Sequence, residues 1–210
     1  MQRDAYETLV RAERAGLERR LCGLTEEQWQ ATSLCDGWTV EEVVAHLTAA
    51  ASTGTAAWLL SIVRSGFDAA KHNDRMIERY RGADATGTLA RFRDAVPSRV
   101  TPTRDYAAFL GEVVVHGQDI AQPLGIPLDP DPQSVLEIAR FFSTRDFAVN
   151  SKKMVRGVSL EASDADFANG AGPAVRGPIL ALVMVMAGRR AFLPQLSGDG
   201  VGVLAGRLSV

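Results

Sequence analysis

The chain has 210 residues, with 23 basic and 25 acidic side chains and a formal charge of −2. That balance leaves no electrostatic footprint for nucleic acid, and the apolar (46%) and charged (23%) fractions are ordinary for a globular chain in water. The length admits one large domain, or a core domain with a small appendage. The opening Met-Gln-Arg-Asp-Ala-Tyr lacks the charged-then-apolar pattern of a signal peptide. The longest apolar run, Ile179 to Ala187, is too short to span a bilayer, so no membrane partner is expected. Two cysteines, Cys22 and Cys35, make no disulfide framework, and a cytoplasmic location is the expectation. Basic residues are overwhelmingly Arg, with Lys only at Lys71, Lys152 and Lys153, a bias of GC-rich genomes.

Residues 2–22 carry Tyr6, Leu9, Val10, Leu17 and Leu21 at helical spacing, which predicts an amphipathic helix. Thr25 and Gln28 form a capping-box pattern for a short turn of helix. Ser33 to Trp38 reads as a break, with Asp36 and Gly37 as turn formers. Thr39 and Glu42 repeat the capping box and launch a long helix through His46 towards Ser65-Gly66. Phe67 to Arg81 is mixed, with Met76, Ile77 and Tyr80 able to share a helical face. Further helices are predicted over Thr86–Val96, from a Thr103 or Asp105 cap to Pro123 and Gly125, and from Asp131-Pro132 to about Val149. After Asn150, Met154–Ala162 and Ala174–Arg176 read as strands. A helix follows from Gly177-Pro178 to Gly188, and Gly198-Asp-Gly200 turns into a last strand over Val201–Val210. The fold class expected is mainly α: a helical domain over residues 1–150, then a small α/β domain over residues 151–210.

The chemistry concentrates in Gly111-Glu-Val-Val-Val-His-Gly-Gln-Asp-Ile120. On a helix Glu112 and His116 stack one turn apart, on the stripe that also carries Phe109, Val113 and Ile120. A carboxylate on an apolar stripe is costly unless it is paired or binds a metal. His46 lies in a similar setting on the predicted Thr39 helix. Two helices offering His46, Glu112 and His116 inward would make a three-ligand zinc-type site with an open position. The plainer alternative is a hydrogen-bonded Glu112–His116 pair and a half-buried His46. His72 lies in a polar segment and is expected at the surface, outside the site. Cys35 is a lower-ranked soft ligand or nucleophile beside the alternative of an inert buried thiol. Asp119, one turn after His116, either orients that imidazole or faces solvent.

Several motifs together resemble the mycothiol-dependent maleylpyruvate isomerase family, a branch of the DinB-like metal-binding four-helix bundles found in actinobacteria. They are Glu27-Gln-Trp29, Ser33-Leu-Cys-Asp-Gly-Trp-Thr-Val40, Val44-Ala-His-Leu47, Asn73-Asp-Arg75, the Glu112–His116 segment and Pro123-Leu-Gly-Ile-Pro127. Gly170-x-Gly-Pro173, Gly177-Pro178, Ala187-Gly-Arg189 and Gly198-Asp-Gly200 resemble that family's C-terminal domain. The resemblance implies a DinB-like four-helix bundle followed by a small C-terminal α/β domain. It also implies that His46, Glu112 and His116 bind a divalent metal of the zinc type, with mycothiol as thiol cosubstrate. The expected function is cis–trans isomerisation of the maleylpyruvate type, or S-transfer to a small electrophile, by a monomer or homodimer. An anionic substrate needs a cation, and Arg75 and Arg189 are the candidates, with Arg79 beside them. A metal-binding bundle without turnover, acting as a ligand-binding or interaction module, is the alternative.

Overall fold

A computed structural model describes residues 1–55, 68–101, 103, 105–147 and 149–209. The chain forms two compact units, Met1–Asp129 and Pro130–Val210. Among the described residues no helix is long and apolar enough to cross a membrane.

The first unit is helical, with α1 (Arg3–Leu21), α2 (Glu26–Gln30), α3 (Val40–Ser52), α4 (Ala69–Tyr80), α5 (Ala85–Ala95) and α6 (Tyr106–Leu124). Both predicted capping boxes form. The Thr25 hydroxyl accepts from the Gln28 N–H while Gln28 returns to the Thr25 N–H, and Thr39 and Glu42 do the same for α3. Each satisfies two of the N–H groups that a helix start leaves without partners. Helix α3 is the hub, packing on α4, α5 and α6, while α1 packs on α5 and α6. Leu17 and Leu21 of α1, Val43, Val44 and Leu47 of α3, Phe92 of α5 and Ile120 of α6 form one core with Trp29 and Cys35. At about 1.5–3 kcal/mol for each large apolar side chain buried, this seam dominates the unit's stability.

Helix α6 ends where Gly125 takes φ +63°, and the N–H groups of Gly125 and Ile126 return to the Gln122 and Ala121 carbonyls. That left-handed closure is the conformation glycine supplies at helix ends. Helix α3 ends at Ser52, where Thr53 turns extended (φ −103°, ψ 108°), so the unbroken helix predicted towards Ser65-Gly66 does not form; its part beyond residue 55 lies outside the described residues. The segment read as mixed is α4, whose His72, Met76 and Ile77 are all buried. His72 is therefore not at the surface, contrary to expectation. It lies four residues before Met76, on the face that α4 buries, and the polar residues around it occupy the other face.

In the second unit, α7 (Pro132–Thr144) begins with Asp131 accepting from the Gln133 N–H and with Pro132 in the first turn. It ends at Thr144, short of the predicted Val149. The 1–150 division counts this helix with the bundle, whereas its packing is on the apolar helix α9 (Ile179–Met186) of the second unit. A three-stranded sheet has the order β2 (Ala168–Gly170), β1 (Ser159–Ala162), β3 (Ala174–Gly177), with β1 antiparallel to β2 and parallel to β3. The front of the strand predicted over Met154–Ala162 is instead the short helix α8 (Ser151–Met154) and a turn.

Helix α9 is apolar all round because it is enclosed. Leu182, Met184 and Met186 are fully buried, with α7, β1 and β3 packed about it. The predicted last strand is wrong: Val201–Arg207 is helix α10. Gly198 turns the chain at φ +103°, and the N–H groups of Val201, Val203 and Leu204 bond back to Gly198 and Gly200. Leu204 and Leu208, four apart, outweigh the alternation of Val201 and Val203.

Candidate metal centre

Helix α3 brings His46 to the site because Val43, Val44 and Leu47 turn its apolar face into the core. Helix α6 does the same for Glu112 and His116 through Leu110, Val113 and Ile120. His46 Nε2 stands 2.6 Å from Glu112 Oε1, and His116 Nε2 stands 3.5 Å from the same oxygen. The two imidazole rings meet edge-on with centroids 5.0 Å apart. The three side chains keep 14%, 26% and 13% of their surface exposed, so the cluster is reachable from solvent.

Behind His116 lies a second layer. Its Nδ1 is 2.9 Å from Asp119 Oδ2, and Asp119 is wholly buried. Of the two readings of Asp119, the geometry is that of an acceptor on the imidazole. The Cys35 thiol donates to the same Asp119 oxygen at 3.0 Å and lies 3.3 Å from His116 Nδ1. The loop carrying Cys35 is pinned by the Ser33 hydroxyl, which accepts from the Cys35 N–H and donates to the Trp38 carbonyl, and by Leu34 N–H donating to the Asp119 carbonyl. Trp38 closes one side, its ring 5.0 Å from that of His46 and 6.4 Å from that of His116.

Burial opposes the charge on Glu112, yet its hydrogen bonds with His116 and His46 hold its carboxyl well below the usual carboxylate range. Burial likewise opposes a charged His116, and its hydrogen bonds to Asp119, Cys35 and Glu112 hold the imidazole well above its ordinary range. Glu112 is thus charged because of the two imidazoles, and His116 chiefly because of Asp119, which is how buried partners offset desolvation.

The donor set fits a divalent ion. One atom from each of His46, Glu112 and His116 lies within 4.8 Å of the others. Two imidazoles and one carboxylate are the ligand types and number of open zinc sites. Cys35, His116 and Asp119 also fall within 4.8 Å of one another, but there the acceptor and donor atoms already bond among themselves.

The arginines are placed differently. Arg75 is exposed on α4, Arg79 lies over the Tyr80 ring, and Arg189 belongs to the second unit, where its Nη1 donates to the Ala187 carbonyl at 2.6 Å. A cleft of about 640 Å³ is lined by Asp36, Trp38, Glu42, Asp74, Ile77 and Arg81. Arg81 went unnoticed in the sequence. Its signal was the neighbouring Gly82, where a Cβ would meet the backbone of Gly87 and Thr88 at 2.4 Å, bringing the end of α4 against α5.

Residues 10–108 match the mycothiol maleylpyruvate isomerase N-terminal domain. The matched stretch includes His46 and ends before Glu112 and His116. Two crystal structures of the mycothiol-dependent maleylpyruvate isomerase share the fold, one of them a histidine-to-alanine mutant. They superpose with TM-scores of 0.64 and 0.63 at 15% identity, covering 95% of this chain and 93% of theirs. The expected helical domain followed by a small α/β piece is therefore the fold of these two structures. No curated protein matches the chain.

Proposed function

We propose that the chain is a divalent-metal-dependent enzyme that uses the mycothiol thiol to isomerise a small cis-alkene acid of the maleylpyruvate type, or to transfer that thiol to a small electrophile. The observation that carries this reading is the convergence of His46, Glu112 and His116 from two helices onto one point that solvent can reach. The domain model that residues 10–108 match, and the similar structures, are named for this cosubstrate. A divalent ion, zinc in the first instance, supplies when bound the positive charge that keeps a cosubstrate thiol as its nucleophilic thiolate.

The chain's own part is binding and orientation. Glu112 faces both imidazoles through one oxygen, Asp119 holds His116 from behind, and the Trp38 ring covers one flank. Arg75, on α4 of the same unit, is the proposed partner for a substrate carboxylate, a role suited to the planar guanidinium. In the isomerase reading, sulfur adds to one alkene carbon, the new single bond rotates, and the same sulfur leaves. In the transfer reading, the electrophile's leaving group departs and the sulfur stays.

Metal content of the purified chain against His46→Ala and Glu112→Ala tests the centre, with loss of the ion expected in both variants. Equal occupancy in all three would remove it. Incubating the loaded chain with mycothiol and maleylpyruvate then separates an enzyme from a binding module. Isomer formation or thiol consumption above a metal-stripped control supports turnover, and its absence favours the module.

A further inference from the structure

His116 presents its two ring nitrogens to two different carboxylates, Nε2 to Glu112 and Nδ1 to Asp119. Asp119 is wholly buried and, when ionised, can only accept. A buried acceptor at 2.9 Å requires the proton to sit on Nδ1, and a neutral imidazole then directs its Nε2 lone pair to the His46–Glu112 side. The Cys35 thiol donates to the same Oδ2 atom, and Leu34 N–H to the Asp119 main chain. The side chain is therefore bonded from the loop as well as from its own helix.

We propose that Asp119 and Cys35 are positioning residues for the His116 ligand, Asp119 by setting the tautomer and Cys35 by holding the Asp119 carboxylate in place. The inference rests on the metal-centre reading above. It assigns the Ser33–Trp38 loop to the ligand geometry of α6, although the loop contributes no ligand. An Asn at position 119 keeps the shape but can turn an N–H donor towards Nδ1. That puts the ring proton on Nε2, where the lone pair is needed, by the logic that makes the same exchange harmful in serine-hydrolase triads.

The test uses the full chain, metal-stripped, as wild type, Asp119→Asn, Asp119→Ala, Cys35→Ala and Cys35→Ser. Zn²⁺ is titrated against a chromophoric chelator, Co²⁺ is added to read its ligand-field bands, and thermal melts of the metal-free chains report folding. Asp119→Asn is expected to bind Zn²⁺ about 10–100-fold more weakly, with altered Co²⁺ bands. Cys35→Ala is expected to lose roughly threefold, and Cys35→Ser, which restores a donor, to recover to within about twofold of wild type. Should Asp119→Ala fail to fold, the isosteric Asn and the Cys35 pair carry the test. A carboxylate that only tied loop to helix would lower the melting temperature and leave affinity within about twofold of wild type; that result overturns the proposal. Uptake of two ions per chain, one of them lost in Cys35→Ala, also overturns it, because Cys35, Asp119 and His116 would then be ligands. A wild type that takes up no ion overturns the metal centre and the positioning role together, whereas equal binding by wild type and variants overturns the positioning role alone.

Discussion

His46 Nε2 stands 2.6 Å from Glu112 Oε1 across 66 positions of sequence, and the same oxygen faces His116 one turn further along α6. One carboxylate thus organises two imidazoles from two helices. Glu112→Gln keeps the volume and removes the charge. It is expected to weaken metal binding by about 100-fold or more, and to cost the metal-free chain on the order of 1–2 kcal/mol. Chelator competition and urea unfolding measure the two effects separately.

The same pair makes the metal-free chain pH-sensitive in both directions. His116, held well above the ordinary histidine value of about 6.5, stabilises the fold fully below that value and loses its contribution as pH rises through its folded-state pKa. Glu112, held below 4.5, contributes fully above that value and loses its contribution as pH falls through its folded-state pKa. Thermal melts of the stripped chain should therefore show their maximum between these limits and decline at alkaline and strongly acid pH.

Metal binding should follow the opposite slope on the alkaline side. A ligand imidazole must be neutral, and His116 is held protonated by its neighbours. Apparent affinity is then expected to rise with pH from 6 towards the His116 value, with protons released on binding. Calorimetry in two buffers of different ionisation enthalpy gives the proton count, and a pH-independent affinity would contradict the assignment.

Away from the centre, Glu41 is buried on α3 and accepts from the Thr88 hydroxyl at 2.8 Å and from Gln30 Nε2 at 3.2 Å. Thr88→Val removes one donor and strands a buried carboxylate oxygen. A loss of about 1–3 kcal/mol by urea unfolding is expected, with metal affinity unchanged.

Gly82 lies against the backbone of Gly87 and Thr88, where a Cβ would stand 2.4 Å from main-chain atoms. Gly82→Ala must push the end of α4 away from α5, at a cost of about 1–3 kcal/mol. The shift would also move Arg81, whose Nη1 is 3.8 Å from Glu42 at the cleft. Unfolding midpoints and mycothiol binding to the cobalt-loaded chain should both move.

What the amino-acid order determined by itself was local and periodic. Thr25, Thr39 and Asp131 mark helix starts because their oxygens meet N–H groups two or three residues on. Gly125 marks a helix end because a left-handed residue closes it. The i, i+4 spacing of Glu112 and His116 put them on one face before any fold was known, and the apolar setting of His46 on the Thr39 helix added the third candidate ligand. The tertiary structure decided what depends on contacts distant in sequence. The fate of His72 turned on which face of α4 met α3, and that of Val201–Arg207 on the backbone bonds available after Gly198. Cys35 gained its meaning only when a loop 84 residues away in sequence was laid on Asp119. Spacing along one helix is set by its pitch, whereas the meeting of a thiol, a buried carboxylate and an imidazole is set by how the core packs.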